Sequence, residues 1–97
     1  MLTEIVTDLE AALPKGFVLE NFHFNVQKDG KFWMGARAAV PGFDGAEVGV
    51  EMEHTAENVA AAGAKIATDL GGAATAKDAD LVAMKAKLDA YVAAKPK

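Results

Sequence analysis

A chain of 97 residues with a net charge of −4 and neither cysteine nor serine has the size of one domain and is closed to several chemistries. Disulfides, thiolate metal sites and Ser or Cys nucleophiles are excluded, and a surface with Arg37 as its one arginine is poorly suited to a phosphate backbone. The length allows roughly 60–65% of the unfolded surface to be buried, enough for a modest core without staples. No stretch approaches the ~18 apolar residues of a membrane helix, and the early acids from Glu4 on do not fit a signal peptide. Together with the absence of cysteine this points to a cytoplasmic protein.

The first element is a helix over Leu2 to Leu13. Leu2, Ile5, Val6, Leu9, Ala12 and Leu13 recur at helical spacing, Thr3 can cap it, and Pro14 and Gly16 stop it. From Phe17 to Thr55 the period changes to two, which marks half-buried strands. In the first strand Val18, Phe22, Phe24 and Val26 fall on one side, opposite Phe17, Leu19, Asn21, His23 and Asn25. In the second, Phe32, Met34, Ala36, Ala38 and Val40 oppose Lys31, Trp33, Gly35 and Arg37. In the third, Ala46, Val48, Val50 and Met52 oppose Glu47, Gly49, Glu51 and Glu53.

The turns set the register. Lys28-Asp29-Gly30 suits a three-residue hairpin with glycine in the left-handed position, pairing Phe24 with Met34 and Phe22 with Ala36. A five-residue connection, Pro41 to Gly45, pairs Val40 with Ala46 and Met34 with Met52. On the polar face this register makes three rows: Asn25–Trp33–Glu53, His23–Gly35–Glu51 and Asn21–Arg37–Gly49. The two glycines leave a gap rimmed by Trp33, Arg37, His23 and the glutamates. Glu20 falls on the apolar side near Ala38, within reach of Lys15 or Lys65.

Thr55 is an N-cap with Glu57 in the first turn, opening a second helix from Ala56 to Leu70. Val59, Gly63, Ile66 and Leu70 form its packing stripe, with small residues matched against Ala36 and Ala38. Gly71-Gly72 reads as a stop, and Gly71 to Lys77 as a linker. Thr75-x-x-Asp78 resembles a capping box opening a third helix, Asp78 to Ala94. Leu81, Met84, Leu88 and Tyr91 make a narrow seam on it, widened by Val82 and Val92.

The fold class is therefore α+β: a three-stranded antiparallel meander with two helices on one face, in the order α-β-β-β-α over residues 1–72. Residues 73–97 add a linker and a further C-terminal helix to the same domain. That element order matches double-stranded RNA-binding domains. Those domains grip phosphates with lysines where this chain has His54-Thr55-Ala56-Glu57-Asn58, so the match implies architecture and no nucleic-acid partner.

Glycine-rich phosphate cradles are missing, since Gly42 to Gly45 opens a strand and carries Asp44. A paired-carboxylate site lacks an apolar pocket to separate its pKa values. No cofactor is indicated. The expected function is non-enzymatic: a small acidic protein-binding module, of the accessory or inhibitory kind found in phages and mobile elements. It would bind a protein partner, a basic one among the options, through the open sheet face or the acidic third strand. Trp33, Arg37, His23, Glu47, Glu51 and Glu53 are the candidate contacts, because Trp and Arg are enriched at binding hot spots. One alternative is self-association through Leu81, Met84, Leu88 and Tyr91. Another is a metal or enzymatic site from His23, Glu51 and Glu53.

Overall fold

A computed structural model describes residues 2–95. The elements are α1 (Leu2–Ala11), β1 (Val18–Val26), β2 (Lys31–Ala39), β3 (Ala46–Glu53) and α2 (Ala56–Ala94). The strands form one antiparallel sheet in the order β1-β2-β3. This is the expected α+β meander with helices packed on one face, but there are two helices rather than three.

The central strand carries the core. Phe32, Met34, Ala36 and Ala38 are buried on its inner side, and they meet Ile5 and Leu9 of α1 and Val59, Ala62, Ile66 and Leu70 of α2. Each large apolar side chain buried in this way contributes ~1.5–3 kcal/mol. α2 lies over β2 and β3, while α1 lies beside it over β1. The alanines of β2 are what let α2 come close. At the mouth of α2, Thr55 accepts a hydrogen bond from the Asn58 backbone N–H at 3.1 Å, the expected cap. The Asn58 side chain donates to the Glu53 carbonyl at 2.9 Å and ties the helix start to the end of β3.

Gly71-Gly72 does not stop the helix; α2 runs unbroken for 39 residues. Gly71 is small for a packing reason: a Cβ there would lie 3.1 Å from the Ala12 carbonyl oxygen, at the end of α1. Gly63, eight residues earlier, receives Ile5 in the same manner, with only 2.8 Å left for a Cβ. The pair seats α1 against α2. With Gly72 the helix holds three glycines, which cost ~3 kcal/mol relative to alanine, and the packing of α1 and the alanine-rich flanks offset this. Thr75 caps nothing and instead donates to the Gly71 carbonyl at 2.7 Å within the helix.

Two further expectations change in the sheet. The β1–β2 register is as read from Asn21 to Val26, but it shifts between Leu19 and Asn21. A bulge there adds one residue and reverses the sides. Leu19 and Phe17 therefore pack against the core, and Val18 is exposed. In the second pairing Ala38, not Val40, faces Ala46, so Met34 faces Val50 and Ala36 faces Val48. Seven residues, Ala39 to Gly45, separate that first pair where the sequence suggested five. A slip of two preserves which side every residue faces, so the inner face survives although the rows do not.

Candidate functional site

The corrected register rebuilds the polar face. Its rows are Asn25–Trp33–Glu51, His23–Gly35–Gly49 and Asn21–Arg37–Glu47. The two glycines sit directly opposite one another, and the gap they leave is filled. The Trp33 indole occupies the space where a side chain on Gly49 would stand, and its Nε1 lies 3.2 Å from where a Gly35 Cβ would be. The ring keeps its outer side open, with Trp33 41% exposed.

Of the other candidate residues, Arg37 and Glu51 are engaged with neighbours. Arg37 Nε donates to Glu20 at 2.9 Å, and its guanidinium lies 3.8 Å from Asp44. Glu20 thus belongs to the outer face, turned there by the bulge. Lys65, one of its expected partners, pairs with Asp69 instead. Glu51 accepts from the Gln27 amide at 3.2 Å and stands 3.9 Å from the Lys31 ammonium. Glu47 and Glu53 are exposed along the edge strand β3. His23 stands in the glycine row, two residues along the sheet from the Glu51 row. Its grouping with Glu51 and Glu53 fails for that reason, and no three metal-ligating side chains converge among the described residues. His54, at the end of β3, lies edge-on to Phe24 and Phe32 at 5.9 and 6.0 Å.

A larger opportunity lies at the far end of α2. The stripe that enters the core as Val59, Ala62, Ile66, Leu70 and Ala74 continues in phase as Leu81, Met84, Leu88 and Tyr91. The sheet ends at the Val40–Gly45 connection, so the stripe outruns what covers it. Every residue from Val82 to Lys95 is exposed, with Leu88 at 58% and Tyr91 at 64%. A helix of 39 residues is ~58 Å long, and it accounts for most of the 64 Å long axis of the molecule.

No family model matches this chain, and no curated protein or solved structure matches it.

Where the sheet gives out, the projecting helix and the β2–β3 connection enclose an apolar cleft of about 340 Å³. It is lined by Val40, Phe43, Leu81, Met84, Leu88 and the stem of Lys85. Beside it, Lys77 donates to Asp44 at 3.1 Å. That hydrogen bond, with the Gly45 N–H and the Lys77 charge, holds the Asp44 carboxyl below its ordinary pKa. Glu20, Arg37, Asp44 and Lys77 form a string of alternating charge from β1 round the end of the sheet to α2. These pairs are exposed to water and individually weak. They mark the boundary between the covered and bare halves of the helix. The seam residues were visible in the sequence. Phe43 was not, because a lone aromatic in a Pro-Gly connection has no periodic signal.

Proposed function

We propose that this protein is a non-catalytic, cytoplasmic protein-interaction module whose docking element is the projecting end of α2. The observation that carries the reading is the resumed stripe. Past Lys77 and Asp78 the helix face that packs the core continues for three further turns as Leu81, Met84, Leu88 and Tyr91, flanked by Val40 and Phe43 alone and exposed from Met84 on. Exposed apolar surface of this extent beside a preformed cleft marks an association site. The cleft suits an apolar side chain from a helix laid along the seam. An accessory or inhibitory role, in which such a module occupies a surface on its partner, is consistent with its size and with this element.

A second reading places the partner on the open sheet face, and it is favoured by the exposed Trp33 ring and the exposed Glu47 and Glu53. A basic partner would suit that edge. One experiment separates the two. A photo-crosslinking amino acid is placed at Leu88 or Tyr91, at Glu47 or Glu53, or at Ala86 or Ala93 on the back of the helix, in living cells. The first reading expects adducts from the Leu88 and Tyr91 positions and none from the back of the helix. Adducts confined to the Glu47 and Glu53 positions would transfer the function to the sheet, and adducts from all positions alike would remove both.

A further inference from the structure

We infer that the occupant of the bare seam is a second copy of this chain, with the two projecting helices paired antiparallel about Ala86. The inference rests on the reading of that seam as a docking element.

Three observations carry it. First, the seam has the spacing of a helix-pairing face. Leu81, Met84, Leu88 and Tyr91 alternate at intervals of three and four, the pattern of paired helices.

Second, the shape permits one orientation. The stripe is covered by its own sheet as far as Ala74, so a parallel partner would drive its own covered half into that sheet. An antiparallel partner enters from the free end. It can advance until its far end meets the Val40–Gly45 connection. The deepest in-phase position sets Leu81 opposite Tyr91 of the second copy and Met84 opposite its Leu88. Advancing one heptad more would put the partner's Tyr91 level with Ala74, which is already buried. In the favoured position the partner's Tyr91 falls at the cleft walled by Val40 and Phe43.

Third, the projecting segment is charged unevenly along its length. Its base carries Asp78 and Asp80, with Asp44 beside them 80% exposed in its side chain, against Lys77. Its outer part carries Lys85, Lys87 and Lys95 against Asp89. In the favoured position Lys85 and Lys87 lie at the middle. Of the outer lysines it is Lys95 that reaches the acidic base, level with Lys77 and beside Asp78 and Asp44 of the second copy. This one attraction is repeated at both ends of the pair and supports the antiparallel orientation. The middle is less favourable. Lys85 and Lys87 each approach their own counterparts across the two-fold axis, and Lys85 is partly neutralised by Asp89 at 2.7 Å. This feature makes the geometry testable, because removing a like-charged pair must strengthen the association.

The test uses the full chain. Sedimentation over a range reaching several hundred micromolar is expected to show the mass rising from the 10.1 kDa monomer to twice that value. Leu88→Asp is expected to abolish the rise while leaving the thermal transition of a dilute sample unchanged. Lys87→Gln is expected to tighten the dimer about twofold. Because the chain has no cysteine, orientation is read directly by mixing Leu81→Cys and Tyr91→Cys proteins under mild oxidation. Antiparallel pairing predicts a covalent dimer in the mixture alone, since each cysteine lies about 15 Å along the axis from its own copy, beyond disulfide reach. A chain that stays monomeric, or a dimer in which Leu81→Cys crosslinks with itself, overturns the proposal. A monomer that still gives cellular crosslinks from Leu88 overturns the second copy and leaves the docking reading standing. A monomer without them removes both.

Discussion

The two halves of α2 are built from the same pattern and meet different fates. From Val59 to Ala74 the stripe is buried under sheet and α1; Leu81 is half-buried, and from Met84 to Val92 the stripe is exposed. The residue types are alike, and the outer half carries the larger side chains. Helix periodicity therefore states that a face wants cover and says nothing of what supplies it. In proteins most helical stability comes from such packing, so the inner half is anchored by the domain and the outer half depends on an occupant.

The largest test of that contrast is a pair of truncations. Leu70→Ala removes a fully buried side chain and is expected to cost 2–5 kcal/mol, or roughly that range, in denaturant unfolding. Leu88→Ala in a dilute sample is expected to stay within about 0.5 kcal/mol of the parent. Equal losses would mean that the outer half is covered within the monomer. Next in size is the cap: Thr55→Ala strips the Asn58 N–H of its acceptor and is expected to lower stability by ~1 kcal/mol, acting on the anchored half.

At the junction of the halves the glycines separate packing from helix propensity. Gly72 has open space where a Cβ would stand, whereas Gly71 faces Ala12. Gly72→Ala is expected to stabilise by up to about 1 kcal/mol, and Gly71→Ala by less; measured unfolding free energies in the reverse order would contradict the packing of α1 there. The smallest effect is at the charged boundary. Asp44 has a lowered pKa from Lys77 and Gly45, so its contribution is present above the unfolded carboxylate pKa and is lost as pH falls through the folded one. Asp44→Asn is expected to melt slightly below the parent at neutral pH and to match it in acid. A difference that grows on acidification would reverse the sign and refute that linkage.

Much of the sheet was legible because period two is unambiguous over long runs. Phe22 and Phe24 against Ala36 and Met34 follow from parity and a three-residue turn. The β2–β3 register was harder, since five or seven residues between the first paired residues differ only in where pairing begins, and both keep Val48 and Val50 inward. The bulge beside Glu20 was visible only as an acid on the apolar side. Its resolution, a reversed side and a pair with Arg37, needs long-range geometry. Gly71-Gly72 misled because glycine serves equally as a stop and as a seat for a crossing helix, and local sequence does not distinguish them. On the candidate face Trp33 was correctly placed outward. That its ring fills the gap over Gly49 follows only once the two glycines are known to be opposite.

The contrast between the halves of α2 is tested most directly by amide hydrogen exchange on the purified chain, followed at several concentrations. The expected result is slow exchange from Val59 to Ala74 at every concentration. From Val82 to Ala94 exchange should be fast at high dilution and slow as the concentration rises. Equal protection of both segments at high dilution, or an outer segment indifferent to concentration, would contradict the account.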